Sequence, residues 1–454
     1  MGGRVQEPEV VPERELRRAV WRLAWPVVAE QALGTVTQVV DMAMVGHLST
    51  EAVTAVGLSF QPFWFVSSIF MGLAVGATAV VARSVGAGDR PTAARVTGQT
   101  VSVAAVLGSL VAGVGFLLAP LIAVFMGAAP DVVPLGAAYI RAVMPGLPFF
   151  FVFTVVAGCL RGAGDTRSPL YVNAALNAIH IFLNWVLIYG HLGCPPLGVV
   201  GAGLSTSLSR GLGAVALMGM VVGGRAGLRL GMRHMLALDA RLIWRVLRVG
   251  LPAAAERAFT SGGQLAYARQ VASLGTVAYA AHSLCLNAES FSYMPGMGFA
   301  TAATALVGQN LGAGRPRDAE RSAYVALWFA LATMGGMAVL FFSIPGLFLR
   351  IYTVDPRVIA LGIPLLRIVA FTQFPEAVGF VLPGALRGAG DTVVVMGVTV
   401  VGMWLVRLGL TSVLVFGLGM GLPGAWLAML ADWLVRAALF LRRFRSGHWK
   451  SVRV

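Results

Sequence analysis

The chain has 454 residues, 57% of them hydrophobic and only 12% charged, with a mean hydropathy of +0.80. A soluble protein of this length carries roughly twice that charged fraction, so a water-soluble globular fold is excluded. The formal net charge of +15 is almost all arginine, with Lys450 the only lysine; it lies in short connections between apolar runs, which marks membrane orientation and excludes a nucleic-acid partner.

In chain order, residues 1–16 form a polar arm expected to lie in the cytoplasm, without an apolar segment ending in a small-residue cleavage site. Twelve apolar runs follow, at 17–46, 53–83, 93–126, 132–160, 168–190, 198–223, 242–274, 278–309, 318–349, 357–386, 393–416 and 421–441. Each is long enough to cross a bilayer as a helix. The expected fold class is therefore all-α: a polytopic membrane protein of twelve transmembrane helices. Residues 17–223 form a first lobe of six spans and 242–441 a second. A cytoplasmic inter-lobe loop at 224–241 carries Arg225, Arg229, Arg233, His234 and Arg241, and a basic cytoplasmic tail follows at 442–454.

The arginines set the orientation. Those of the arm, of the second-to-third, fourth-to-fifth and eighth-to-ninth connections, and of the tail share one side, and the opposite connections carry none. Only Arg350 and Arg357 break the pattern. Both termini are expected to be cytoplasmic, in the plasma (cell inner) membrane.

The halves repeat. Arg161–Thr166 reads RGAGDT, and so does Arg387–Thr392, 226 residues later. The same spacing pairs Pro26 with Pro252, Glu30 with Glu256, Gly72 with Gly298 and the GAG at 86–88 with that at 312–314. Six spans per repeat is an even number, so both halves enter from the same side. Such parallel repeats are related by an axis along the membrane normal, and a substrate site is expected between them near the midplane. Asp41 pairs with Tyr267, so the two lobes should differ in chemistry.

Carboxylates at bilayer depth cost roughly 2.5–3.5 kcal/mol on insertion scales and are kept where they face a cavity or a partner. Glu30 and Asp41 stand eleven residues apart on the first span, about 16 Å along a helix. Glu256 lies eleven residues beyond Arg245, and Glu376 eleven before Arg387, which places both at similar depth and allows a shared proton or Na⁺ site. Glu289 is a further acid, on the eighth span. Polar residues that accompany them include Asn173, Asn177 and His180, which either coordinate a cation or join helices. Asp432 and Arg436, four apart, with Arg407 on the preceding span, read as a structural ion pair. The RGAGDT segments read as turns whose Arg and Asp pair or cap. Phe60, Phe63, Trp64, Phe149, Phe150, Phe291, Met294 and Met297 read mainly as packing, with some lining an adaptable pocket.

Cys159, Cys194 and Cys285 show no metal spacing and no disulfide framework. No GxxxxGK[ST] loop, HExxH or GxSxG elbow occurs, so the chain is not expected to be an enzyme and needs no cofactor.

Five segments together resemble the multidrug and toxic compound extrusion (MATE) family. They are AEQALGTVTQVVDMAMVGHL in the first span, LRGAGDT after the fourth, PAAAERAF in the seventh, YMPGMGFATAATALVGQNLGAG in the eighth and PEAVGFVLPGALRGAGDT in the tenth. The similarity covers roughly residues 15–445. It implies export of organic cations driven by H⁺ or Na⁺. Asp41 matches the family's first-span aspartate in the N-lobe cation site, and Asn184 stands where Asp or Asn is common. His180 stands where Asn is usual, a departure that alters the coordination there. Glu256 and Glu376 match the acids of the C-lobe cation site, with Glu in place of the common Asp at 376. Pro26 matches a proline at which the first span bends.

The expectation is an alternating-access antiporter, monomeric in the lipid bilayer, for organic cations or drugs. Two other classes are a flippase for lipids or lipid-linked sugars, which would line its cavity with arginines such as Arg257 and Arg269, and a passive channel.

Overall fold

A computed structural model describes residues 11–236 and 239–452, apart from the side chains of Thr50, Phe60, Gln61, Trp64, Met232 and Leu236. Phe60 and Trp64, expected among the pocket aromatics, thus lie outside the described side chains. Among the described residues the regular structure is helical. The helices are α1 (Glu13–Gly46), α2 (Thr50–Gly86), α3 (Arg90–Leu117), α4 (Ala119–Phe125), α5 (Val133–Val143), α6 (Leu147–Gly162), α7 (Arg167–Tyr189), α8 (Gly198–Val222) and α9 (Met232–Leu236). They continue with α10 (Ala240–Ala272), α11 (Thr276–Gly312), α12 (Pro316–Ser343), α13 (Pro345–Arg350), α14 (Pro356–Ala389), α15 (Thr392–Val400), α16 (Gly409–Thr411) and α17 (Gly421–Arg445). π-helical turns at Val401–Leu408 and Ser412–Gly417 flank α16. The N-terminal arm is shorter than expected, since α1 starts at Glu13.

Among the described residues, nine helical stretches are long and apolar enough to cross a membrane. They do not include α1, α10 or α11, which carry Glu30 and Asp41, Glu256, and Glu289. The helices least like ordinary membrane spans are thus those that hold most of the candidate acids.

Two compact units emerge. The N-terminal unit holds Ala29–Val81 and Asp89–Ala254; the C-terminal unit holds the described residues up to Val28, Ala82–Gly88 and those from Ala255 onward. These bounds differ from the expected lobes at their ends, because α1 and α10 each change unit partway along. The change falls two residues after Pro26 in α1 and two after Pro252 in α10. A proline inside a helix removes one i→i−4 hydrogen bond and loosens the ladder there.

Within the N-terminal unit α7 packs on α8, and α6 on both α3 and α8. A small apolar core of Val45, Ala52, Ile188, Val199 and Ala202 gathers α1, α2, α7 and α8. The expected inter-lobe loop is tied down in this unit: Ser102 donates to the Met235 carbonyl (2.7 Å), and the Asp239 amide donates to Gln99 (3.2 Å). Within the C-terminal unit α14 is the central element, packed on α11, α12 and α17. Its core includes Phe299, Leu382, Phe440 and Phe444.

The repeat reappears as reciprocal close contacts. In the C-terminal unit, any Cβ on Gly86 would collide with the Gln309 carbonyl, and any Cβ on Gly312 with that of Arg83. Arg83 and Gln309 are themselves 226 residues apart, as are Gly86 and Gly312. Glycine at both places lets two helix backbones touch without side chains between them.

Candidate ion and substrate site

In the N-terminal unit one face of α7 presents Asn173, Asn177, His180 and Asn184, spaced by four, three and four residues as one side of a helix requires. Two of these reach Asp41 on α1. His180 Nε2 lies 2.9 Å from Asp41 Oδ2, and Asn184 donates to Asp41 Oδ1 at 2.7 Å. A second layer from α8 holds those two in place: Ser209 Oγ lies 3.3 Å from His180 Nδ1, and the Ser205 hydroxyl donates to Asn184 Oδ1. The Asp41 side chain is 36% exposed, whereas His180 is buried. Asp41 is therefore an accessible carboxylate with no arginine on it among the described residues, held by a neutralisable ring and an amide.

Glu30, on the same helix, is held differently. Arg161 donates to both its oxygens (2.7 and 2.8 Å), and Asn173 adds a bond of 3.0 Å. This carboxylate is buried and locked by Arg161, and it shares no hydrogen-bond partner with Asp41 among the described residues, although both stand on the first span as candidate cation-coupling acids. Asn177 does not join Asp41 either; its Nδ2 is buried with no hydrogen-bond partner among the described residues.

In the C-terminal unit Glu256 repeats the Glu30 arrangement. Arg387 donates to it at 2.6 Å and Thr399 at 3.3 Å, each the repeat-mate of a Glu30 partner. The expected sharing of one Na⁺ or proton by Glu256 and Glu376 is not what the structure shows. Equal depth along two helices does not fix which way their side chains point, and Glu256 turns to Arg387. Glu376 instead makes a carboxyl–carboxyl contact with Glu289 on α11 and accepts from Gln373 Nε2 at 3.3 Å. Both acids are buried, and Glu289 Oε1 has no hydrogen-bond partner among the described residues. Two carboxylates in contact cannot both stay ionised without a bound cation, so the pair can hold one proton or one small cation.

Asp432 is fully buried, with Arg407 on Oδ2 (2.8 Å) and Arg436 on both oxygens. The expected ion pair is thus a triad. Arg407 also lies over the Tyr267 ring, 5.6 Å from its centroid. Pro26 stands inside an unbroken α1. Of the alternative cavity arginines, Arg269 is exposed and Arg257 lies near Arg387 and Glu256.

Both RGAGDT segments turn the chain, but only the first caps a helix; in the second, Gly390 adopts φ 88° and Asp391 accepts from Arg443 at 2.8 Å without capping an amide. Gly164 adopts φ 93°, and Asp165 accepts from the Arg167 and Ser168 amides (3.1 and 3.0 Å) and from Arg225 (3.2 Å). Burial pushes the Asp165 carboxyl up, but its bonds to the Ser168 hydroxyl and amide and to Arg225 outweigh this and hold it below the usual carboxylate range.

One polar residue escaped the sequence reading. Arg210 on α8 lies 4.3 Å from the Phe63 ring centroid and 4.8 Å from that of Phe150. An arginine in the run STSLSRGLGAV is itself the signal of a buried polar site.

Two repeated helical halves, each with ionisable groups buried in it, are an arrangement found in many membrane transporters. The MatE family model matches the chain twice, over residues 26–186 and 252–413. The chain belongs to the MatE family. It is 33% identical to a probable multidrug resistance protein NorM of Thermotoga maritima, over 97% of this chain and 94% of that one. It is 30% identical to the protein of the same description from Pseudomonas aeruginosa, over 96% and 90%. Its fold matches that of a solved MOP superfamily transporter from Pyrococcus furiosus, with a TM-score of 0.87, 22% identity and coverage of 98% and 100%. It also matches a structure described as the outward-facing conformation of a multidrug resistance MATE family transporter (0.87, 21%, 98% and 100%).

The second match is one residue longer than the first. An inserted residue is what a π turn accommodates, and the π turn at Val401–Leu408 lies within that stretch. With that shift of one residue, to a spacing of 227, His180 aligns with Arg407 and Asn184 with Thr411. In the last helix of each half, G-x-x-G-A-x-L at 198–204 aligns with 421–427, which places Ser209 on Asp432 and Arg210 on Trp433. Phe63 and Phe150 align with Glu289 and Glu376. Each half therefore carries an ionisable cluster where the other is aromatic or locked.

Proposed function

We propose that this protein is a secondary active multidrug efflux transporter that exports organic cations in antiport with H⁺ or Na⁺. The single observation that carries the reading is the contrast among the acids of its helices: Glu30, Glu256 and Asp432 are buried and neutralised by arginines, and Asp41 is partly exposed and hydrogen-bonded to His180 and Asn184. A carboxylate without a fixed counter-charge is available to exchange a proton or small cation for a larger one. The names of the NorM relatives support the same reading.

In this reading twelve helices cross the cell inner membrane as two pseudo-symmetric lobes, with both termini cytoplasmic. Alternating access moves the cargo, and α1 repacks at Pro26 when Asp41 changes charge. A ligand shifts such an equilibrium only by its differential affinity for the two states, so ion and drug act through the same carboxylate. The Glu289–Glu376 pair is a second ion site in the other half. The protein works as a monomer, without a cofactor, and catalyses no chemical reaction.

The test is uptake of ethidium into proteoliposomes under an imposed pH gradient or Na⁺ gradient, each alone. The wild type should concentrate the dye under at least one gradient, and Asp41→Asn should abolish that drive. Undiminished gradient-driven uptake in Asp41→Asn would remove Asp41 from the mechanism.

A further inference from the structure

Two arginines stand on the outside of membrane helices with an aromatic ring beside them and no acid. Arg141 on α5 is exposed, and its guanidinium carbon lies 5.9 Å from the centroid of the Phe116 ring on α3. Arg367 on α14 is exposed as well, 6.0 Å from the Phe342 ring on α12. Arg141 and Arg367 are 226 residues apart, and so are Phe116 and Phe342. The same pair is therefore built once in each half, on the same two spans of the repeat. Arg161, Arg387, Arg407 and Arg436 each have an acidic partner within 2.8 Å; among the described residues Arg141 and Arg367 have none. Arg141 Nε reaches the Phe116 carbonyl only at 3.5 Å, and Arg367 makes no side-chain hydrogen bond among the described residues.

Their surroundings are those of a lipid-facing surface. On α14 the exposed residues Pro364, Arg367, Phe371 and Phe374 recur every three or four positions, as one side of a helix does. Glu376, nine residues beyond Arg367, is buried and turned about half a circle away from it. Arg367 thus points out of its unit, away from the buried acids. In the other half Pro134, Arg141, Pro145 and Phe149 form the matching exposed stripe. Leu117 next to Phe116, and Ile344 close to Phe342, are exposed too. The depth is that of a headgroup. Arg141 stands twenty residues before Arg161, and Arg367 twenty before Arg387. Twenty residues are about 30 Å of helix, the thickness of the hydrocarbon core. Phe116 and Phe342 lie in the last turns of α3 and α12, where those spans end. An arginine at that level lays its stem on apolar surface and extends its head to the phosphate layer.

We infer that Arg141 with Phe116, and Arg367 with Phe342, form two equivalent seats for the phosphate of an anionic phospholipid, in the leaflet away from the RGAGDT turns. That leaflet is the outer one in the orientation of the export reading above; the leaflet rests on that reading and the seats do not. A guanidinium fork matches two phosphate oxygens at once, and the phenyl ring offers the first acyl carbons an apolar contact. The charge selects the lipid. The phosphate of phosphatidylglycerol brings a net negative charge to the arginine, whereas in phosphatidylcholine the choline already neutralises it. Neither seat shares a residue with the Asp41 cluster or the Glu289–Glu376 pair.

Native mass spectrometry tests the inference. The purified full-length protein, stripped of lipid in a nonionic detergent, is titrated with phosphatidylglycerol or with phosphatidylcholine of the same acyl chains. Wild type should take up two phosphatidylglycerol molecules with an affinity about tenfold or more above that for phosphatidylcholine, the scale of a charge-assisted hydrogen bond. Arg141→Gln and Arg367→Gln should each lose one of the two, and the double variant both. Phosphatidylcholine binding should change by less than about twofold in all three. Lysine at either position keeps the charge without the fork and should recover part of the lost affinity, which separates loss of a seat from misfolding. Equal binding of the two lipids by wild type, or undiminished phosphatidylglycerol binding by the double variant, would overturn the seats. Neither result bears on ethidium uptake, which tests export separately.

Discussion

His180 and Arg407 occupy the same place in the two halves of the chain, and each reaches the last helix of its own half: His180 to Ser209, Arg407 to Asp432. One frame has thus been given two chemistries. In the N-terminal half the position holds a ring that meets a partly exposed aspartate; in the C-terminal half it holds a permanent cation locked to a fully buried one.

That difference predicts unequal costs. Asp432→Asn leaves Arg407 and Arg436 buried without their common partner, and breaking a buried pair from one side costs about 3–5 kcal/mol. Thermal unfolding in detergent should show a large drop. His180→Asn strands no charge and should shift the midpoint far less. Replacing Arg407, Asp432 and Arg436 together with Met, Leu and Met should recover much of the loss.

The duplicated Glu–Arg locks should behave alike. Arg161→Ala exposes Glu30, and Arg387→Ala exposes Glu256, to the same loss of counter-charge. Each should lower the unfolding midpoint by a similar amount. Adding Glu30→Gln to Arg161→Ala, or Glu256→Gln to Arg387→Ala, should restore part of it. A double variant no more stable than its single would show that the arginine acts elsewhere.

Small residues divide sharply by place. Gly86→Leu and Gly312→Leu drive a side chain into the facing carbonyl of Gln309 or Arg83 and should abolish folded, monodisperse protein in size-exclusion chromatography. Gly34→Ala meets nothing within 4 Å and sits in a helix. It should be neutral or stabilising by up to about 1 kcal/mol.

Asp165 gives a pH prediction. Its carboxyl is held below the ordinary value near 3.9. A depressed carboxylate contributes stability that is complete above its unfolded value and is lost as pH falls through its folded one. Asp165→Asn should therefore be less stable than wild type at pH 7. The difference between the two should shrink as the pH is lowered through the acid range below about 4, measured as the gap between unfolding midpoints. A gap independent of pH would mean that the carboxylate's charge is not what stabilises this turn.

The cysteines report orientation. Cys159 and Cys285 are buried and Cys194, between α7 and α8, is partly exposed. A membrane-impermeant maleimide applied to intact spheroplasts should label one site, and Cys194→Ser should abolish it. Labelling of Cys194 only in inverted vesicles would reverse the proposed orientation.

The amino-acid order alone settled the membrane class, the duplication and the inventory of buried acids. These follow from hydropathy, spacing and residue identity, which are properties of the linear chain. It could not distinguish Glu30 from Glu289, since both read as a lone acid in an apolar run, nor show that Glu376 turns to Glu289 and not to Glu256. What a carboxylate does at bilayer depth depends on the groups within about 3 Å of it, and most of those arrive from helices more than a hundred residues away. Arg161 on Glu30, His180 on Asp41 and the phenyl rings on Arg210 are decided by the rotation of each helix about its axis. That rotation is set by packing against neighbours, and only the tertiary structure contains it.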